Sequence, residues 1–418
     1  MKKTITSYLL PFTLYLLPFL GYAQSFQWIK DGGSSENLGS NDYEQAYSIA
    51  TDSQKNVYVL SKVGMSSLNI DGNPKTNYDD PGSTPTDIVL ASFSCDGTYR
   101  WSKIIGGSNT ENISAVQVDS QDNVYVAGRI ASCDNGSVSQ PYPGRIENDY
   151  TFSNATNACS VIFLAKFDAN GVFQYVKRPQ LPTTTSNALT YTRSFNFQIQ
   201  NDILYWFVWL PPGTYADGAF TNSTTETHAP YVLKYNLDGT FIEATQLGAV
   251  QGLFDIIVKY YRNPHNGFYY MTLVKIGTTT FTINGQPVVN AAALVCYDTN
   301  GNYLWKRENT QPMAGSLVFY SLDFDSQNNI YIGGKIASSS IDSFMGFTAS
   351  FSSPAFIMKL DATADNLLWA SHHNTVASSG YGSLVYNGSE VAFTGWCAGT
   401  NFTWGTQSIY VTATNEGQ

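Results

Sequence analysis

One unit of sequence recurs about six times along this 418-residue chain, and units that cannot bury their apolar side chains alone must stack on their neighbours. The first half of the unit is an alternating run, a polar turn and a second alternating run. Clear copies run from Ser48 to Leu60, from Ala115 to Gly128 and from Ser321 to Gly334. Weaker copies run from Phe195 to Trp206, Ile256 to Met271 and Leu384 to Phe393. Period-2 alternation on both sides of a turn predicts two antiparallel strands.

The second half follows each first half. It runs from Ile88 to Trp101, Ile162 to Tyr175, Tyr231 to Phe241 and Leu294 to Trp305, and from Phe356 to Leu360 leading to Trp369. Asp-Gly or Asn-Gly pairs at its centre supply the positive φ of a tight turn. Four strands per repeat predict an all-β, six-bladed β-propeller of four-stranded antiparallel blades. The blades are expected at about 45–107, 113–178, 193–248, 253–307, 318–371 and 381–418 plus 25–33.

That last pairing comes from the two ends of the chain. Trp28 and Gly32-Gly33 match the fourth-strand text around Trp101 and Gly106-Gly107, while Ile409 to Gln418 reads as a third strand lacking its fourth. The ring is therefore expected to close by the N-terminal strand completing the last blade, which removes two exposed sheet edges.

Residues 1–23 read as a signal peptide, leaving a propeller domain over 24–418. Lys2 and Lys3 precede an apolar stretch from Tyr8 to Leu20, and Gly21 and Ala23 place small residues before a cut. Pro11 and Pro18 interrupt that stretch, and it is shorter than the roughly 20 apolar residues of a membrane span. An exported monomer without a membrane span is expected, extracellular or at the cell surface, with the periplasm as the other compartment. The excess of 32 acidic over 22 basic residues argues against nucleic-acid partners, because binding phosphate backbones requires cations that displace counterions.

Export permits disulfides. Of five cysteines, Cys133 and Cys159 bracket one long polar insertion and form the candidate disulfide, while Cys296 lies in an apolar run and reads as a buried thiol.

The succession Asp-x-x-x-Asn-Val-Tyr-Val-x-Gly, Phe-Leu-Ala-Lys-Phe-Asp-x-Asn-Gly, Trp and Gly-Gly resembles the bacterial SBBP-type β-propeller repeats. The resemblance covers the mature chain, most sharply in units one, two and five. It implies a secreted or cell-surface protein; related proteins often carry a C-terminal sorting domain for type IX secretion, which this sequence does not show. The resemblance carries no catalytic residues.

The Asp-Ser-Gln-x-Asn turns at Asp52, Asp119 and Asp325 could suggest calcium loops, but one Asp and one Asn per turn suit Asx hydrogen bonding better than a cation needing six or more oxygens. His372 and His373 are adjacent on a strand and point to opposite faces. His228 and His265 lie in polar turns and are expected to be solvated. No Gly-x-Ser-x-Gly or His-Glu-x-x-His occurs. No catalytic residue, cofactor or metal is expected.

Short inserts between second and third strands, such as Leu68 to Gly72, Phe281 to Gly285 and Asn401 to Gly405, read as hairpins decorating one face. Their aromatics (Tyr142, Tyr215, Phe347, Phe402 and Trp404) would offer a stacking surface. The candidate ligand face comprises Asp42, Tyr43, Glu44, Glu111, Asn112, Asp255, Tyr381 and Trp404. The expected function is a non-enzymatic binding or scaffolding module for an extracellular glycan or protein. The alternatives are a structural or adhesion domain and a polysaccharide-active enzyme.

Overall fold

The computed structural model describes residues 28, 30, 32–33, 45–64, 68–76, 78, 86–107, 111–130, 144–152, 161–179, 192–251, 256–275, 281–311, 317–336, 342–349, 355–372, 379–386, 388, 390–397, 401–404 and 407–410. Residues 1–23, read from sequence as a signal peptide, lie outside them, as do Cys133 and Cys159. Every regular element among the described residues is a β-strand.

Five four-stranded antiparallel meanders follow one another. In the first, Gln45–Thr51, Val57–Val63, Asp87–Phe93 and Tyr99–Gly106 lie side by side in chain order. The second is built from Asn112–Val118, Val124–Ile130, Val161–Phe167 and Phe173–Lys177. The third is Arg193–Gln200, Ile203–Leu210, Ala229–Asn236 and Phe241–Gln246. Ile256–Arg262, Tyr269–Lys275, Ala292–Tyr297 and Tyr303–Glu308 make the fourth, and Leu317–Phe324, Ile330–Ile336, Ala355–Leu360 and Leu367–His372 the fifth. The sixth unit shows two strands, Ser379–Tyr386 and Val391–Cys397.

Alternation buries both faces of each sheet, so the core is divided into slabs between neighbours. Leu60, Ile88, Val126 and Phe163 meet between sheets one and two; Ala127, Leu164, Trp206 and Leu233 meet between two and three. Phe207, Val232, Met271 and Val295 fill the next slab, and Leu294, Phe324, Ile332 and Met358 the one after. The first strands lie side by side: Ser114 Oγ donates to the Ser194 carbonyl at 3.0 Å, and Asn196 Nδ2 to the Tyr260 carbonyl at 2.6 Å. Antiparallel sheets stacked face to face with their first strands innermost give a propeller-like arrangement.

The inserts do not decorate a face. The insert hairpin of unit two, Arg145–Ile146 with Tyr150–Thr151, pairs with the outer strand of sheet one, Ile146 opposite Ile105 and Arg145 opposite Gly106. The hairpin of unit four pairs Ile283 with Val250, just past the outer strand of sheet three. In unit five, the Ser343 carbonyl accepts from the backbone of Thr310, just past the outer strand of sheet four. Each of these hairpins latches onto the preceding sheet. The first hairpin, Leu68–Ile70 with Asn73–Lys75, makes the same contact with the N-terminal segment, Ile70 opposite Gly32 and Asn69 opposite Gly33.

Two expectations change. Tyr215 is fully buried and Phe347 is 7% exposed, so these insert aromatics are core rather than a stacking surface. Both sit where the hairpin folds back between sheets: Tyr215 stacks on Phe220, and Phe347 packs on Phe356. Tyr142 lies outside the described residues. At the other end, Tyr410 pairs with Asn401 across the hairpin Asn401–Trp404 with Gln407–Tyr410. Residues 407–410 are thus part of an insert hairpin, not a third strand.

Among the described residues, apolar side chains remain exposed on the outer strands and turns, Val172, Val289 and Leu368 included, and also on the first strands of sheets one and six. Ile49 is 67% and Tyr47 52% exposed, Ile49 on the side of sheet one facing away from sheet two; Val385 in sheet six is 53% exposed.

Candidate functional site

The turn ends of the sheets are held by aspartates. Asp119 Oδ1 accepts from the backbone N–H groups of Gln121 and Asn123, and Oδ2 accepts from Asn123 Nδ2 and the Tyr125 hydroxyl, all four at 2.9 Å. Asp52 is held likewise by Gln54, Asn56 and Tyr58. Burial pushes the Asp52 carboxyl up, but bonds from Asn56, Tyr58 and Gln54 outweigh it and leave it below the usual carboxylate range. In Asp325 burial is likewise outweighed, here by Lys359 at 2.9 Å and by Asn329. These carboxylates cap hairpins.

The turn between third and fourth strands presents a carbonyl to the preceding sheet. The Ala169 carbonyl accepts from Trp101 Nε1 at 3.0 Å and Arg100 Nη2 at 2.9 Å. At the same turn position in sheet three, the Leu237 carbonyl accepts from Lys166 Nζ at 2.9 Å, the Tyr125 hydroxyl at 3.1 Å and the Tyr175 hydroxyl at 3.2 Å.

The two interfaces differ in what fills the space beside this contact. Between sheets one and two, the Arg100 guanidinium also donates to the Tyr58 hydroxyl at 3.1 Å and Ser92 Oγ at 3.0 Å. Gln174 occupies the equivalent position in sheet two, one residue before Tyr175 as Arg100 precedes Trp101. Its amide turns outward to the Val172 carbonyl at 3.1 Å. Lys166, standing where sheet one has Ser92, makes the contact to the turn carbonyl that Arg100 makes at the other interface. Beside it is an open cleft of about 380 Å3 lined by Gln121, Lys166, Asp202, Asn236, Leu237 and Asp238.

Five of the six lining residues are polar, Leu237 being the sixth, and much of the exposed lining is formed by apolar atoms. Asp202 Oδ1 accepts from Ser120 Oγ at 3.1 Å, and Asp238 Oδ1 from the Thr240 N–H at 2.8 Å. That Thr240 bond holds the Asp238 carboxyl below its usual range, so it is charged at neutral pH. Lys166 lies 3.9 Å from Asp119 and over the Tyr125 ring, 5.1 Å from its centroid. The carboxamides of Gln121 and Asn236 make no hydrogen bond among the described residues. Sequence reasoning did not single out these residues, because all but Lys166 sit in turns that look like every other turn.

Of the ligand face expected from sequence, Glu111, Asn112, Tyr381 and Trp404 are among the described residues. Glu111 is fully buried, its N–H donating to the Thr86 carbonyl at 3.0 Å, while its neighbour Asn112 is exposed. Tyr381 lies opposite Gly395, and Trp404 opposite Gln407. Asp42, Tyr43, Glu44 and Asp255 fall outside the described residues. Cys296 is buried as expected and Cys95 is an exposed free thiol. His265 is exposed, but His228 is not solvated: it is 4% exposed and stacks on Trp209 at 4.5 Å. It immediately precedes the third strand of its sheet, whose first five residues are all buried.

No protein-family model matches the chain, and no curated protein matches it in sequence. Solved structures of similar shape exist at low identity. A protein of unknown function from Bacteroides caccae is 9% identical, covering 79% of this chain and 82% of its own, with a TM-score of 0.37. The NanB sialidase of Streptococcus pneumoniae is 9% identical, with a TM-score of 0.47, and matches 82% of this chain and 63% of its own. A rhamnogalacturonan lyase of Bacillus licheniformis is 13% identical, covers 92% of this chain and 59% of its own, and has a TM-score of 0.39. This chain thus spans less than two thirds of either enzyme. The expectation of a non-enzymatic binding or scaffolding module is corrected here: the solved structures of similar shape are mostly enzymes, so the shape does not select a non-enzymatic role.

Proposed function

We propose that this protein holds a small polar ligand in the cleft between its second and third sheets. The observation that carries this reading is the cleft itself, about 380 Å3 with two carboxylates and two carboxamides that make no hydrogen bond among the described residues. That volume suits a molecule of monosaccharide or amino-acid size. Ligand-observed NMR with a panel of monosaccharides, amino acids and polyamines tests it. Saturable binding that disappears when Gln121→Trp fills the cleft supports the reading. Binding unaffected by that change, or no binding at millimolar concentration, overturns it.

We also propose that the chain is an exported SBBP-type propeller whose ring of six sheets is closed by the N-terminal segment. Three features support closure. Trp28 donates to the Cys95 carbonyl at 3.1 Å as Trp101 does to that of Ala169. Gly32 and Gly33 pair with the first insert hairpin in the register of Ile105 and Gly106. The uncovered Ile49 and Val385 belong to the two sheets that closure would bring together. Recovery of the mature protein outside the cytoplasm, beginning at Gln24, tests the export reading.

A further inference from the structure

We infer that the joint between sheets five and six is a pH-sensitive device, tightened by mild acid through Asp323. Neighbouring first strands are tied by a repeated contact. Gln117, opposite Tyr125 in sheet two, accepts at Oε1 from the Ile199 N–H at 3.0 Å. Gln198, opposite Tyr205 in sheet three, accepts in the same way from the Arg262 N–H. Asp323, opposite Tyr331 in sheet five, accepts at Oδ2 from the Tyr386 N–H at 2.7 Å. Each donor lies one residue beyond the counterpart of the acceptor in its own sheet, so the three contacts are equivalent. The other two described junctions use different groups. Ser48 Oγ accepts from the Val116 N–H at 3.2 Å, and the Tyr261 hydroxyl donates to the Tyr320 carbonyl at 3.2 Å. Among the described residues, Asp323 is the one acceptor of this series that carries a charge.

A carboxamide and a carboxylate do not make this contact alike. Gln198 also donates, its Nε2 reaching the Arg262 carbonyl at 3.3 Å, so one side chain meets both polar groups of one residue. An ionised carboxyl can only accept, whereas a protonated one carries an O–H in addition. Protonation therefore gives Asp323 the donor that the glutamine has. Burial acts in the same direction. Asp323 is half-buried, and desolvation holds its carboxyl above the ordinary 3.8 despite the N–H groups of Tyr386 and Phe324. On sheet five, Asp325 is engaged by Lys359 at 2.9 Å, and Lys359 lies over the Tyr331 ring, 4.9 Å from its centroid. On sheet six, Tyr386 stacks on Tyr331 at 4.7 Å, and Glu390 is exposed. Sheet four contributes Tyr261 and His265, and the charge of His265 favours the ionised form of Asp323. With its pKa raised in the joined state, Asp323 holds a proton there more readily than in a released strand. The joint is therefore firmest at low pH and loosens as the pH rises through the range just above 3.8. Surrounding acidity thus sets how firmly sheet six is held.

The test is amide hydrogen exchange of the full-length mature protein at about pH 4 and pH 7, corrected for intrinsic rates. Protection of Ser379–Tyr386 is expressed relative to Asn112–Val118 of sheet two, which removes any change in the stability of the fold as a whole. In the native protein this ratio should be at least about 3-fold higher at the lower pH, the effect of one added hydrogen bond. Asp323→Asn offers an acceptor and a donor at every pH, so its ratio should be the same at both and close to the native value in acid. Circular dichroism shows whether the variant keeps the fold; if it does not, Asp323→Gln, the residue of sheets two and three, takes its place. A native ratio that stays constant or falls in acid overturns the inference without any variant. A rise of the same size in Asp323→Asn also overturns it, because a group other than Asp323 would then be responsible.

Discussion

Trp28 donates its indole N–H to the Cys95 carbonyl at 3.1 Å and packs its ring against Gly97 and Phe93, 67 residues away in sequence from the carbonyl it binds. Trp101 stands in the same relation to Ala169 and Gly171. The N-terminal segment therefore lies against sheet one as the outer strand of one sheet lies against the next. Trp28→Ala should cost about 2 kcal/mol, less than a fully buried Trp because the ring is half-buried. Urea unfolding followed by circular dichroism checks it; an unchanged midpoint would mean the segment contributes nothing to the fold.

Gly171 is the counterpart to that contact. Its φ is +79°, and a Cβ there would sit 2.6 Å from the Trp101 ring. Both the left-handed backbone and the close approach require glycine. Gly171→Ala should destabilise by about 2–3 kcal/mol, partly relieved in a Trp101→Phe background, where the smaller ring leaves room. Strict additivity of the two changes would contradict the contact.

Much of this architecture was legible because alternation and turn chemistry are local. The second strands begin at Val57, Val124, Ile203, Tyr269, Ile330 and Val391, where the run after each polar turn begins. The inserts were legible as hairpins but not in their role: a three-residue strand such as Phe281–Ile283 says nothing about which outer strand it will join. That partner is chosen by tertiary geometry, and so is the burial of Tyr215 and Phe347. The ends misled for a related reason. The Asn401–Trp404 and Gln407–Tyr410 runs are as short as the other inserts, but Ile409 and Tyr410 looked like the apolar start of a third strand. The cleft was hidden because Asp202 and Asp238 sit in ordinary turns.

The aspartate turns give a direct test of structural against metal-binding chemistry. Asp119→Ala would strand two backbone N–H groups and the Asn123 amide, while the Tyr125 hydroxyl keeps the Leu237 carbonyl, and should cost about 2–3 kcal/mol. Calcium or EDTA should leave the melting temperature of the native protein unchanged, since the carboxylate oxygens are already taken by donors. A calcium-dependent rise that disappears in Asp119→Ala would reverse that assignment.

Tyr215 tests whether the inserts are structural latches. It is fully buried, its hydroxyl donates to the Pro211 carbonyl at 2.7 Å, and Asn222 from the facing strand donates to the same carbonyl at 3.0 Å. Tyr215→Phe should cost about 1 kcal/mol, for the lost hydrogen bond, and Tyr215→Ala about 3–5 kcal/mol, for the cavity. Thermal or urea unfolding measures both. A surface aromatic would show neither the size of the second loss nor the gap between the two.

His228 makes the fold lose stability in acid. Burial against Trp209 lowers its pKa from 6.5 to about 4, with the nearby Arg193 adding in the same direction. The unfolded chain takes up the proton near 6.5, while the folded chain resists it until about pH 4. Between those values the unfolded state holds more protons, so stability is at its full value above about 6.5 and falls as the pH drops through this window, by up to roughly 3 kcal/mol. His228→Phe keeps an aromatic against Trp209 and removes the titration, so the difference in unfolding free energy between variant and native protein should move in the variant's favour from pH 7 to pH 4. Carboxylates titrate in both proteins and cancel in that difference. A difference that stays constant with pH would show that His228 is protonated in the fold near its ordinary pKa.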